Sequence, residues 1–437
     1  MIRALLMIGL LMPGFLRAAS LPAFSDYFKT SSLGKVQSRE SAHFRVEWVH
    51  PRDETFVNAL LEYLEAAHQD LDPLFRVVTS GGKKVPVEIY PDLKSFSEVS
   101  GLSLARFKAS GTIALTLEQR LMLLSPRNLY SGYTWATTAV HELIHYLINS
   151  ISPSRVPIWL HEGTAQVYQG YPYQKAASLQ PSQWGLFKKY RAKSGLLSLE
   201  TLKEPFPYRK DPEETELAYV QALLFVKWLD QQCGAVSLIR LTGELPSIEQ
   251  ALERCTGMAY PDLSRKFIPQ IMAQVQIPKG SDVAYFARDF SGKDPRDAES
   301  KRADQDSQNF AQLSSRLFDQ GRYRASVVEM RQALQKAPVT PPSWRRQLAL
   351  ALEKSGQSKE SGAVLSDLLK DYPDDAGAWF LKGRQALLRA DMKLAWDAFL
   401  RAFYVNPFME GLDQEMGALK QQHPHFGYSF LKPDPQK

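Results

Sequence analysis

Two histidines four residues apart, His141 and His145 in the stretch AVHELIHYLIN, give the sequence its first chemical reading. On a helix that spacing puts both imidazoles on one side, close enough to hold a single metal ion. Glu142, next to the first of them, reaches a water on such an ion rather than the ion itself, which is the place of a general base. An open catalytic metal site wants a third protein ligand. Glu162, in PIWLHEGTAQ, arrives seventeen positions after His145, a separation suited to a return through a loop onto a second helix. His161 beside it is expected to point away on that helix, and the bland reading of Glu162 is an acid favoured at a helix start.

Several elements have to position these groups. The helix expected over residues 134–149 is apolar on most sides, through Val140, Leu143, Ile144, Leu147 and Ile148, and so belongs inside a domain. Residues 41–50 alternate apolar and polar as a half-buried strand does, 54–74 carry a helical period, 85–92 (VPVEIYPD) read as a second strand, and 111–117 with 121–124 as a hairpin. Strands first and helices afterwards suggest an α+β domain. The strand at 121–125 is the expected free edge for an extended peptide. Helical patterns continue to residue 276, and 278–308 lose the apolar period, which marks a linker.

Beyond the linker a repeat emerges. Pro338, Pro373 and Pro407 recur at intervals of 35 and 34, Trp344 and Trp379 at 35, and Gly321 and Gly356 at 35. A period near 34 in helical segments resembles tetratricopeptide (TPR) repeats. In the third unit Gly383, Ala395, Phe399 and Ala402 fit the pattern, while Ser326 and Ser361 stand where alanine is usual. Such repeats present a concave groove to a protein partner.

With HELIH followed by P-x-W-L-x-E-G-x-A, the chain resembles the gluzincin metallopeptidases, and more specifically the peptidase MA-like family. The resemblance extends over most of residues 41–276, in the order of HFRVEW, VPVEIYPD, the two motif helices and AYVQALLFVKWL. It implies one zinc ion held by His141, His145 and Glu162, Glu142 as base and proton shuttle, and a peptide or protein substrate. Two further roles follow from it: Gln166, four residues after Glu162, as an amide holding a histidine ring where a carboxylate often does so, and Tyr219 as stabiliser of the oxyanion. Exposed or packing-only Gln166 is the plainer alternative. The reading is thus an α+β zincin-like metallopeptidase domain followed by an all-α TPR-like helical repeat domain. The rival reading is a catalytically idle scaffold that recruits partners through its repeats.

The bulk properties bound these expectations. A chain of 437 residues, 44% hydrophobic and 23% charged, is long enough for two or three globular domains. A net charge of +6 with no dense basic run excludes nucleic acid as an expected partner. The first twenty residues carry Arg3, an apolar run and small residues Ala18, Ala19 and Ser20, the pattern of a cleaved signal peptide. That run is short of the roughly 20 residues needed to cross a bilayer, so no transmembrane segment is expected in the mature chain. Export to a periplasm or the extracellular space follows. There Cys233 and Cys255 form either a disulfide or two separate buried thiols. The expected organisation is a signal peptide at 1–20, the metallopeptidase domain at 21–277, the linker at 278–308, the repeats at 309–412 and a tail at 413–437.

Overall fold

The computed structural model describes residues 22–29, 34–76, 83–153, 155–173, 177–206, 211–287, 290 and 299–427. The stretch read as a signal peptide lies outside them, as does part of the segment read as a linker. The first unit opens with the short helix α1 (Phe24–Tyr27), then β1 (Gln37–Glu40), β2 (Phe44–Trp48), α2 (Glu54–Phe75) and β3 (Val85–Tyr90). The helices α3 (Leu93–Ser100) and α4 (Leu104–Ser110) follow, with the hairpin β4 (Ala114–Leu117) and β5 (Arg120–Leu124). The sheet order is β1-β2-β3-β5-β4, with β2, β3 and β5 parallel and an antiparallel strand at either side. Burial on both faces of the central strand, VPVEIY, is what its near-continuous apolar composition requires.

This order corrects one expectation. The strand at 121–125 is not an edge, because β5 pairs with β3 on one side and with β4 on the other. The hairpin turns outward rather than inward, so β4 takes the edge. Sequence periodicity marks a strand and is silent on which side its hairpin partner falls.

A helical layer completes the unit: α5 (Trp135–Ile151), α6 (Ile158–Tyr168), α7 (Pro181–Ala192), α8 (Pro212–Cys233), α9 (Ala235–Glu244), α10 (Ile248–Thr256) and α11 (Tyr260–Lys266). The apolar surround of α5 finds its partners in α2, β4, β5, α6 and α9. Helix α6 lies across α8 at very short range, since a Cβ on Gly163 would stand 2.6 Å from the carbonyl oxygen of Ala222. A Cys233–Cys255 disulfide ties the end of α8 to α10 and resolves the open choice for the two cysteines.

The C-terminal third consists of paired helices: α12 (Gln305–Asp319) with α13 (Tyr323–Lys336), α14 (Pro342–Lys354) with α15 (Ser358–Asp371), and α16 (Ala376–Leu388) with α17 (Met392–Phe403), followed by α18 (Leu412–Gln422). The same stop closes the first helix of every pair. Arg322 N donates to Leu317 O, Gln357 N to Leu352 O and Asp391 N to Ala386 O, each just after a residue with positive φ. That residue is Gly321, Gly356 and, in the third pair, Ala390. The two serines that break the alanine pattern are buried and used. Ser326 meets Ser314 at 2.9 Å, and Ser361 donates to Ala349 O at 2.7 Å, where the third pair has buried Ala395.

The repeats are not a free appendage. Apolar side chains of α16, α17 and α18 share one continuous core with the first unit. Tyr133 N donates to Val405 O and Trp135 Nε1 to Phe403 O, both at 2.9 Å, directly at the start of α5. Phe408 sits beneath the guanidinium groups of both Arg52 and Arg127. Among the described residues no helix is long and apolar enough to cross a membrane.

Candidate metal centre

Helix α5 carries His141 and His145 one turn apart, and their rings stand nearly perpendicular with centroids 4.7 Å apart. The loop at 152–157 ends on Pro157, whose extended backbone starts α6 and returns the chain across α5. That return delivers Glu162. Its Oε2 lies 3.1 Å from Nε2 of His141 and 3.5 Å from Nε2 of His145, so one carboxylate oxygen meets both rings. Gly163 lets α6 press against α8 at the next residue, which holds the carboxylate at that depth.

Both histidines are braced from behind. Nδ1 of His141 lies 2.9 Å from Oε1 of Gln169, which carries no proton, so the ring nitrogen donates and Nε2 is the one turned to Glu162. Nδ1 of His145 lies 2.8 Å from Nδ1 of His161. His161 therefore does not point away, because α6 crosses α5 at an angle that lays its first turn against the histidine face. Gln166 does not hold a ring; its amide donates to Tyr219 O at 3.0 Å and more weakly to Glu162 O. The brace for His141 sits one turn later, at Gln169, and nothing in the sequence marks it. Tyr219 packs its ring edge-on against Phe206 and lends the site its backbone oxygen.

Glu142 faces the same region with a different partner. The Thr116 hydroxyl, on the edge strand β4, lies 2.7 Å from Glu142 Oε2 and 2.8 Å from the backbone oxygen of the same residue. A hydroxyl has one proton to give, and it goes to the carboxylate oxygen when Glu142 is ionised. Burial, partly offset by His145 and His141, raises the pKa of Glu142. For Glu162 the balance is reversed: burial pushes upward, but the charge of His145 and hydrogen bonds from both histidines outweigh it and hold the carboxyl far below the usual range. His141 is pulled down by burial and raised further by its bond to Glu162 and that group's charge. Burial and the neighbouring His145 push His161 down to about 3.

This donor set fits a four-coordinate metal. Ligand bonds of ~2.05 Å in a tetrahedron place neighbouring ligand atoms roughly 3.3 Å apart. The observed 3.1 and 3.5 Å bracket that edge. Two imidazole nitrogens and a carboxylate oxygen aimed at one another also need a cation or a shared proton between them. His141, Glu142 and His145 likewise bring ligating atoms within 4.8 Å of one another. Glu162 makes the better third ligand, because it contacts both Nε2 atoms while Glu142 is held by Thr116. No individual curated protein matches the chain. Residues 72–267, which include all four of these side chains, match the family model of the Peptidase MA superfamily, so this stretch is similar to that superfamily's domain.

Proposed function

We propose that this protein is an exported zinc-dependent peptidase of gluzincin type, with His141, His145 and Glu162 as zinc ligands and Glu142 as general base. The observation that carries the reading is that Oε2 of Glu162 stands 3.1 Å from Nε2 of His141 and 3.5 Å from Nε2 of His145, near the edge length of a tetrahedral zinc site. When bound there, zinc supplies a Lewis acid that polarises a carbonyl and brings a water's pKa toward about 7. Glu142 takes the proton of the attacking water and returns it to the leaving amine. Thr116 holds that carboxyl in place throughout, from a strand whose outer edge faces no other strand among the described residues. An extended substrate lies along β4 by strand addition.

The disulfide supports export, since such bonds persist in oxidising compartments. The paired helices, with one stop recurring at intervals of 35 and 34 residues, support a TPR-like unit that binds a protein partner. A groove of about 1580 Å³ between that unit and the first, lined by Tyr130, Phe286, Arg346, Phe380 and Phe408, has room for an extended polypeptide.

The test is to purify the mature chain, measure bound zinc and compare cleavage of an unfolded protein by the parent and by Glu142→Gln. Zinc in both and cleavage only by the parent is expected. A zinc-free parent, or equal cleavage by both, refutes the reading.

A further inference from the structure

His161 stands between two residues of α5 that are one turn apart. Its Nδ1 lies 2.8 Å from Nδ1 of His145, and its Nε2 lies 3.2 Å from Oδ1 of Asn149. The spacing of His145 and Asn149 puts both on the face that α6 crosses. The three side chains therefore form a line from Asn149 through His161 to His145 and on to Glu162.

The direction of the protons along that line follows from the acceptor at its far end. An amide oxygen has no proton, so Nε2 of His161 carries the one between them. In the neutral ring Nδ1 of His161 is then bare. The 2.8 Å contact needs one proton, and His145 must supply it from Nδ1. Nε2 of His145 is left with a free lone pair, directed at the point that Glu162 also faces. Reversed protons would put a hydrogen on Nε2 of His145 and spoil it as a ligand. His141 reaches the same state by a shorter route, through Gln169 alone.

We propose that Asn149 and His161 are positioning residues, a hydrogen-bond relay that locks His145 in the Nδ1–H tautomer and presents its Nε2 to the metal. This rests on the zinc reading, because a cation between Nε2 of His145 and Glu162 is what keeps that nitrogen free of a proton. Metal-ligating histidines usually hand their second nitrogen to a carboxylate, a backbone carbonyl or water. Here a second imidazole does so, and it sits beside the third ligand, so the relay couples two ligands of one site.

The first test reads the tautomers directly, by imidazole 15N spectroscopy on the zinc-loaded full-length protein. His145 should carry its proton on Nδ1 and His161 on Nε2. A proton on Nδ1 of His161 in the neutral ring overturns the relay. The second measures zinc affinity by competition with a chromophoric chelator, alongside thermal melting of the metal-free protein. His161→Phe keeps the ring packed against His145 but removes both nitrogens, and should weaken zinc binding about 10–100-fold. Asn149→Ala should weaken it in the same direction, while Asn149→Asp, which keeps the acceptor, should stay within about threefold of the parent. Parent-like affinity in His161→Phe overturns the proposal, as does an Asn149→Asp no better than Asn149→Ala. A parent that binds no zinc refutes the peptidase reading instead.

Discussion

Replacing Gly163 by alanine tests how the fold sets the depth of Glu162. The new methyl group would stand 2.5 Å from Cγ2 of Val226 and 2.6 Å from the carbonyl oxygen of Ala222. The valine can rotate, but a backbone oxygen in the middle of α8 cannot. Bringing 2.6 Å to the ordinary contact of about 3.4 Å requires α6 to withdraw from α8 by about 0.8 Å. Overpacking of this kind costs about 1–3 kcal/mol. The displacement also carries Glu162, the residue just before it, out of line with the two Nε2 atoms. A ligand shifted by most of an ångström weakens the site substantially, and a reacting geometry disturbed on that scale can lose about 100-fold in rate. Melting the metal-free variant reads the first effect as a drop of several degrees. Zinc competition and peptide cleavage read the second. A variant that melts with the parent and binds zinc equally well refutes the argument that close packing of α6 on α8 positions the third ligand.

Other outcomes follow from particular contacts. Glu299, which accepts from Ser343 N at 2.9 Å, has its pKa raised by burial, against the opposing pull of Arg346. A carboxyl with a raised folded pKa contributes its full share of stability below the unfolded value of about 4.3 and loses it as pH rises toward the folded value. Glu299→Gln should therefore gain stability relative to the parent at pH 7 to 8 and show little gain near pH 4, by denaturant titration at each pH. Ala390 has φ of 56° at the helix stop where the other two pairs have glycine, so Ala390→Gly should stabilise the chain by about 1 kcal/mol in a urea titration. Replacing Cys233 and Cys255 together by alanine opens a bridge with a sequence separation of 22, which in the chain-entropy picture costs about 3 kcal/mol, read as a lower denaturant midpoint.

The candidate site was legible where its chemistry follows from covalent spacing. His141 and His145 share a face because helices repeat every 3.6 residues, and Glu162 reaches them because α6 starts soon after α5 ends and packs back against it. The bracing side chains were not legible. Whether Gln166 or Gln169 meets His141, and whether His161 faces in or out, depends on the angle between α5 and α6, which Gly163 and α8 set from outside the motif. The sheet shows the same division. Its central strands stand out as apolar runs, but β1, with its half-exposed QSRE, carries no apolar signal, and the edge position belongs to β4 by a choice of hairpin direction. In the repeats, Ser326 and Ser361 looked like departures from a pattern until their hydroxyls were seen to satisfy buried partners across each helix pair.

The union of the last helix pair with the start of α5 has a mechanical meaning. Trp135, fastened to Phe403 O, is six residues before His141 on one rigid helix, about 9 Å along its axis. On the proposed function, a polypeptide gripped by the repeats would not be tethered loosely near His141 and Glu142; it would be clamped at a set offset from them. The point of cleavage would then be gauged by how much chain spans that offset, so the protein would act as a ruler as well as a blade.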